Sequence, residues 1–131
     1  MEKMIGVLSI TFLLVAGALA EPKGDAARHL TNTFQGAKAN TGMAEHFIDG
    51  GKSMLKVTPD FKVPDTPAPT WRVVDSKGNI YTLDAFKVKG WGGEKREIVV
   101  PSYIKDIAKV QVYCAWAEVL LGESSFASPV K

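Results

Sequence analysis

The amino-acid sequence predicts one all-β domain, an antiparallel β-sandwich or a barrel-like fold. Short apolar runs alternate with polar residues and are separated by turns rich in glycine, proline, asparagine and aspartate, which is typical of antiparallel sheets. No apolar stripe with helical spacing persists over the length of a normal helix. The chain has 131 residues, enough for one domain with its own core but too few for two.

Residues 1–20 have the three parts of a secretory signal peptide. A lysine stands near the start, residues 4–17 form an apolar run, and the small residues Ala18 and Ala20 precede Glu21. We therefore expect cleavage after Ala20 and a secreted or periplasmic product. The alternative is an uncleaved membrane anchor, because about 17 residues can just span a bilayer. The rest of the chain has no segment apolar enough to span a membrane.

The remaining chain divides into three predicted parts. Residues 21–32 are polar and unpatterned and are expected to be a flexible lead, residues 33–126 a β domain, and residues 127–131 a short tail. The chain contains 16 lysine and arginine residues against 14 aspartate and glutamate residues. Because these charges are interspersed, the sequence predicts no binding to nucleic acid.

Two hairpins are predicted in the first part of this domain. One joins residues 43–48 to residues 52–57 through Asp49-Gly50-Gly51, where glycine accepts a positive φ without steric strain. The other joins residues 71–74 to residues 80–83 through a polar turn. Between the hairpins, the prolines of residues 64–69 remove backbone donors and predict a stiff crossing loop.

The last third contains the longest strand material. A glycine-rich loop at residues 90–93 precedes a predicted strand at residues 96–100. Residues 109–121 are predicted to form two strands bent near residues 115–117. With the two hairpins, these runs complete the predicted antiparallel fold.

Alternation in this segment predicts a place for Cys114, the one cysteine of the chain. Cys114 and Trp116 share a side with Val110 and Val112, which is expected to face the core, whereas Tyr113 lies opposite. An exported chain meets oxidising surroundings, where cysteines normally form pairs. The Cys114 side chain therefore packs in the core, forms an intermolecular disulfide, or acts as a redox group or a metal ligand. A free cysteine often behaves as a small buried hydrophobe, whose thiol is then inert.

Few residues could accompany Cys114 in chemistry. A copper-type site of Cys114, His46 and either Met43 or Met54 is conceivable by residue type, but no spacing supports it. His46 is also the candidate base for a cysteine nucleophile, because His29 lies in the expected lead. The chain has no Gly-x-Ser-x-Gly elbow, so ordinary hydrolysis is disfavoured. Whether the domain is an enzyme, and which cofactor or metal it holds, stays open.

Residues 96–126 also carry a family resemblance. A strand ends in Pro101, a short linker follows, then an apolar strand with the pair Tyr113-Cys114, and finally a second apolar stretch with Gly122. In this order the segment resembles the closing half of the DM-thirteen domain, an extracellular module often labelled electron transfer.

Two earlier motifs extend the resemblance over about residues 33–126. Thr33-Phe34-Gln35-Gly36 resembles the opening strand of the family, and Asp60-Phe61 resembles its central Asp-Phe. Residues 64–69 depart from the Gly-Pro that the family usually has before an outward strand.

The resemblance implies an all-β fold and a redox role centred on Cys114, with Tyr113, Trp116 and His46 as flanking candidates. In this family the redox partner of a lone domain would be a separate protein. We therefore expect a secreted redox or electron-transfer accessory domain. The alternative is a non-catalytic extracellular binding or structural module in which Cys114 is core packing.

Overall fold

The computed structural model of the chain describes residues 28–87, 90 and 92–131. The expected signal peptide and residues 21–27 of the expected lead lie outside these residues. Every regular element in the described part is a β-strand, so the prediction of an all-β fold is confirmed. Within the same residues, no helix is long and apolar enough to cross a membrane.

The described residues form eight strands, numbered in chain order. They are β1 (Arg28–Leu30), β2 (Ala44–Asp49), β3 (Lys52–Val57), β4 (Pro69–Val74), β5 (Ile80–Ala85), β6 (Glu97–Val99), β7 (Ile107–Cys114) and β8 (Val119–Val130).

These strands build two four-stranded sheets that pack against each other as a β-sandwich. The first sheet has the order β1-β2-β3-β6 and the second the order β5-β4-β7-β8. All neighbouring strands are antiparallel. The sheets do not close into a barrel, and their inner faces bury one cluster of aliphatic and aromatic side chains that holds them together.

Both predicted hairpins are present. β2 and β3 pair in register from Ala44 with Val57 to Asp49 with Lys52. Their turn places Gly50 and Gly51 at φ values of 58° and 80°, which glycine adopts without the strain of a Cβ atom. β4 and β5 form the other hairpin, with a register shift near its open end. The predicted bend at residues 115–117 is the turn between β7 and β8.

The strands extend beyond the predicted domain at both ends. β1 lies in the last part of the expected flexible lead and pairs with β2, so that His29 stands directly opposite His46. At the other end, β8 continues through the expected tail as far as Val130, which pairs with Ile107. Both segments are short edge stretches without clear alternation, and pairing with a neighbour rather than their own pattern makes them strands.

Residues 32–39 run along the free edge of β8 and cover part of it. The backbone of Gln35 forms a bridge with Glu123, and the N–H of Ala39 donates to the Leu121 carbonyl at 2.9 Å. A covered edge offers fewer unpaired backbone groups to another chain. This crossing segment therefore ties the first sheet to the second.

The crossing segment approaches β8 closely because glycines meet there. A Cβ atom on Gly36 would lie 2.3 Å from Gly122 Cα, and one on Gly122 would lie 2.1 Å from the Ala39 carbonyl oxygen. Neither distance is possible between real atoms without movement of the backbone. The contact thus depends on two residues that lack side chains.

Aromatic side chains fill the centre of the sandwich. Trp71 is fully buried and stacks on Phe86 with ring centroids 4.3 Å apart. Phe86 stacks on Phe61 at 5.4 Å, and Phe61 contacts Phe34 at 5.0 Å. The Trp71 indole donates its N–H to the Lys95 carbonyl at 2.9 Å, so its polar atom is satisfied inside the core.

Candidate functional site

Cys114 is the last residue of β7 and lies on the inner face of the second sheet. It pairs with Pro69 of β4 on one side and Val119 of β8 on the other. Its exposed fraction is 1 %, and it belongs to the core cluster together with Val110 and Val112. The prediction that these three side chains share the core face is confirmed.

The turn after Cys114 places backbone donors next to its sulfur. The N–H of Ala117 donates to Cys114 Sγ at 3.4 Å, and the N–H of Glu118 donates to the Cys114 carbonyl at 2.7 Å. Glu118 has a φ of 58°, a left-handed conformation that closes the turn. The cysteine side chain therefore caps the turn that joins the two longest strands.

The loop that precedes β4 also lies beside this turn, because Pro69 pairs with Cys114 and the N–H of Ala115 donates to the Ala68 carbonyl at 3.0 Å. Hydrogen bonding lowers the pKa of the Cys114 thiol, with the N–H of Ala117 contributing most and those of Ala68 and Trp116 contributing less. Burial opposes this by raising the pKa, and the net direction is downward. Thr66 Oγ1 is buried and has no hydrogen-bond partner among the described residues, and its hydroxyl is the smallest of the named causes that lower the pKa of the Cys114 thiol.

This arrangement favours the thiolate, because a negatively charged sulfur accepts N–H and O–H hydrogen bonds more strongly than a neutral thiol does. The thiolate is the nucleophilic form of cysteine. Access is the limiting factor, since the sulfur itself is buried. The turn that donates an N–H to the sulfur is itself exposed at residues 115–118.

Tyr113 and Trp116 do not line the sulfur with their side chains. Tyr113 lies on the outer face of the sheet, where the Arg72 guanidinium stacks over its ring at 3.9 Å from the centroid. The expectation that Trp116 faces the core is wrong, because β7 ends at Cys114 and the indole is 76 % exposed at the tip of the turn. Trp116 contributes only a backbone N–H to the thiol.

His46 lies far from Cys114. Its ring meets Phe126 edge-on, with centroids 6.5 Å apart, and the neighbouring Ser125 pairs with Lys109. Cys114 stands five positions after Lys109 in β7, roughly 17 Å along an antiparallel strand. The structure therefore does not bring the candidate base to the cysteine.

Sequence reasoning missed Thr66 and Ala68 as neighbours of Cys114. Both lie in the proline-rich loop, which was predicted only to cross between strands. The pairing of Pro69 with Cys114 brings that loop to the sulfur. Such a contact depends on strand register, which no local signal around the loop reveals.

The described residues contain no group of three or more histidine, cysteine, aspartate or glutamate side chains placed to hold a metal ion. Comparison of the chain with protein-family models, curated proteins and solved structures gave no significant match. The resemblance to the DM-thirteen domain stays a prediction.

Proposed function

We propose that this chain is a secreted redox accessory domain in which Cys114 exchanges with a disulfide of a separate partner protein. The observation that carries the proposal is the hydrogen bond that the N–H of Ala117 donates to the buried Cys114 Sγ at 3.4 Å, at a site where the pKa of the thiol is lowered. The contact between Gly36 and Gly122 adds support, because these glycines belong to the opening and closing motifs of the family resemblance.

The exchange needs no oxidant or cofactor beyond the partner disulfide. The Cys114 thiol releases its proton to solvent, and the thiolate attacks one sulfur of the partner. A mixed disulfide forms, the partner's sulfur–sulfur bond breaks, and its second sulfur leaves as a thiolate. Attack by that thiolate on the mixed disulfide reverses the step, so electrons are conserved throughout.

A titration of the thiolate tests whether the site favours this chemistry. The ultraviolet absorbance of the thiolate, corrected by the same titration of Cys114→Ser, reports on Cys114, because the chain has one cysteine. We expect a pKa below that of free cysteine, about 8.5. Thr66→Val should raise this pKa, since it removes a donor near the sulfur. Thr82→Val makes the same chemical change at an exposed position of β5 and should leave it unchanged.

A Cys114 pKa at or above that of free cysteine would contradict the proposal. Equal effects of Thr66→Val and Thr82→Val would show that the hydroxyl does not act on the sulfur. The titration has to be followed with the fold monitored by circular dichroism, so that a change in structure is not mistaken for a change in pKa.

A second candidate, a non-catalytic binding module, is favoured by a different observation. Trp116, Val119 and Leu120 at the tip of the β7–β8 hairpin are 76 %, 47 % and 44 % exposed. Exposed aromatic and aliphatic side chains close together are typical of contact surfaces. In this function the Cys114 sulfur only caps the turn. Its thiol would then react with a labelling reagent only after global unfolding.

A further inference from the structure

The two histidines of the chain form a pair on the first sheet, far from Cys114. His29 on β1 stands directly opposite His46 on β2, and their ring centroids are 5.9 Å apart with the planes tilted by 30°. His29 is exposed at the edge of the sheet, whereas His46 is 1 % exposed. The pair therefore joins a solvent-accessible imidazole to a buried one.

The two nitrogens of His46 have different surroundings. Nε2 lies 2.9 Å from Ser53 Oγ on β3, within hydrogen-bond distance. Nδ1 is buried and has no hydrogen-bond partner among the described residues. Because the nitrogens of an imidazole point to different sides of the ring, Nδ1 faces away from Ser53. The strand on the other side of β2 is β1, which carries His29.

A buried polar atom without a partner requires an explanation, because nearly all such atoms in folded proteins are satisfied. In the tautomer whose Nε2–H donates to Ser53 Oγ, Nδ1 carries a free lone pair. This is the usual state of a metal-ligating histidine, whose second nitrogen is fixed by a hydrogen bond.

We propose that His29 and His46 form a two-histidine site for a borderline divalent transition metal, with Zn²⁺ and Cu²⁺ as the ions that best suit imidazole ligands. Two imidazole nitrogens that bind one ion at about 2.0–2.1 Å require neighbouring rings, and the rings of His29 and His46 lie with their centroids 5.9 Å apart. The described residues place no third side chain of this kind nearby, so water completes the coordination. The exposed edge at β1 is the route of entry.

Zinc titration of the mature domain tests the site. We expect one zinc ion per chain, and the imidazole signals of both histidines in a nuclear magnetic resonance spectrum should shift in the same transition. These signals are easily assigned because the chain has only two histidines. His29→Ala should weaken zinc binding at least about tenfold. Leu30→Ala is the matched control, because Leu30 is the exposed neighbour on the same strand and is 54 % exposed.

Three results would overturn the proposal. In the first, His29→Ala binds zinc as tightly as Leu30→Ala. In the second, only the His29 signal responds, which would mean adventitious binding by a surface histidine. In the third, zinc binding survives His29→Ala and is lost in Cys114→Ser. The titration of the unaltered chain follows both imidazole signals, so the test does not depend on a variant of the buried His46 that folds.

Discussion

Substitution of Gly122 by alanine tests the contact that ties the crossing segment to β8. The new Cβ atom would lie 2.1 Å from the Ala39 carbonyl oxygen, 2.8 Å from Ala39 Cβ and 2.9 Å from the Ala39 carbonyl carbon. The opposing atoms are the backbone of Ala39 and its Cβ atom, so no flexible side chain can move away to make room. Residues 32–39 have to move outward, or the variant carries strain.

The size of the effect follows from two contributions. Overpacking in a tight contact costs about 1–3 kcal/mol. The N–H groups of Lys38 and Ala39 donate to the Leu121 carbonyl at 3.0 and 2.9 Å, and weakening these hydrogen bonds adds about 0.5–1.5 kcal/mol each. Alanine also reduces the entropy of the unfolded chain, which stabilises the folded variant by about 0.4–1 kcal/mol. We expect a net loss of roughly 2–4 kcal/mol in the free energy of unfolding.

Urea unfolding followed by tryptophan fluorescence measures this loss. Gly92→Ala is the matched control, because a Cβ atom there meets nothing within 4 Å and its φ is not left-handed. It should change the free energy of unfolding by less than about 0.5 kcal/mol. Gly36→Ala should resemble Gly122→Ala, since its Cβ would lie 2.3 Å from the Leu121 carbonyl oxygen. If Gly122→Ala is as stable as Gly92→Ala, the crossing segment does not pack on β8 as described.

Two further predictions concern the core and a turn. Trp71→Ala should lower the free energy of unfolding by about 3–5 kcal/mol, because loss of the buried indole leaves a cavity. Trp116→Ala, at an exposed tryptophan, should change it by less than about 0.5 kcal/mol, with urea unfolding of both variants followed by circular dichroism. The pKa of Asp75 is lowered, chiefly by the hydrogen bond from the Asn79 side chain. The Asp75 carboxylate therefore stabilises the fold above the ordinary aspartate pKa, and this stability is lost as the pH falls. The free energy of unfolding, measured from about pH 5 to pH 2, should decline less steeply for Asp75→Asn than for the unaltered chain. Equal slopes for Asp75→Asn and the unaltered chain would contradict this prediction.

The hairpins and the core face of β7 could be predicted because their signals are local. Gly50 and Gly51 mark a turn by the φ values they permit, and the valines beside Cys114 mark a buried face by their alternation. The same rule failed for Trp116 because alternation holds only inside a strand. The sequence does not mark Cys114 as the last residue of β7.

The parts that were missed depend on long-range pairing. β1 is three residues long and has no pattern of its own, so His29 was assigned to a flexible lead although it stands opposite His46. Thr66 and Ala68 reach Cys114 only because β4 and β7 pair in a given register. Register is set by the packing of both sheets together, so no local pattern in a single sequence reveals it.

The exchange of Cys114 with glutathione disulfide in the folded protein tests the proposed redox role most directly. Mass spectrometry counts one mixed disulfide per chain, and unfolding kinetics measured in parallel give the rate of global unfolding. We predict that the mixed disulfide forms faster than the protein unfolds, through local opening of the exposed turn at residues 115–118. A mixed disulfide that forms only at the rate of global unfolding would contradict it and leave Cys114 as packing.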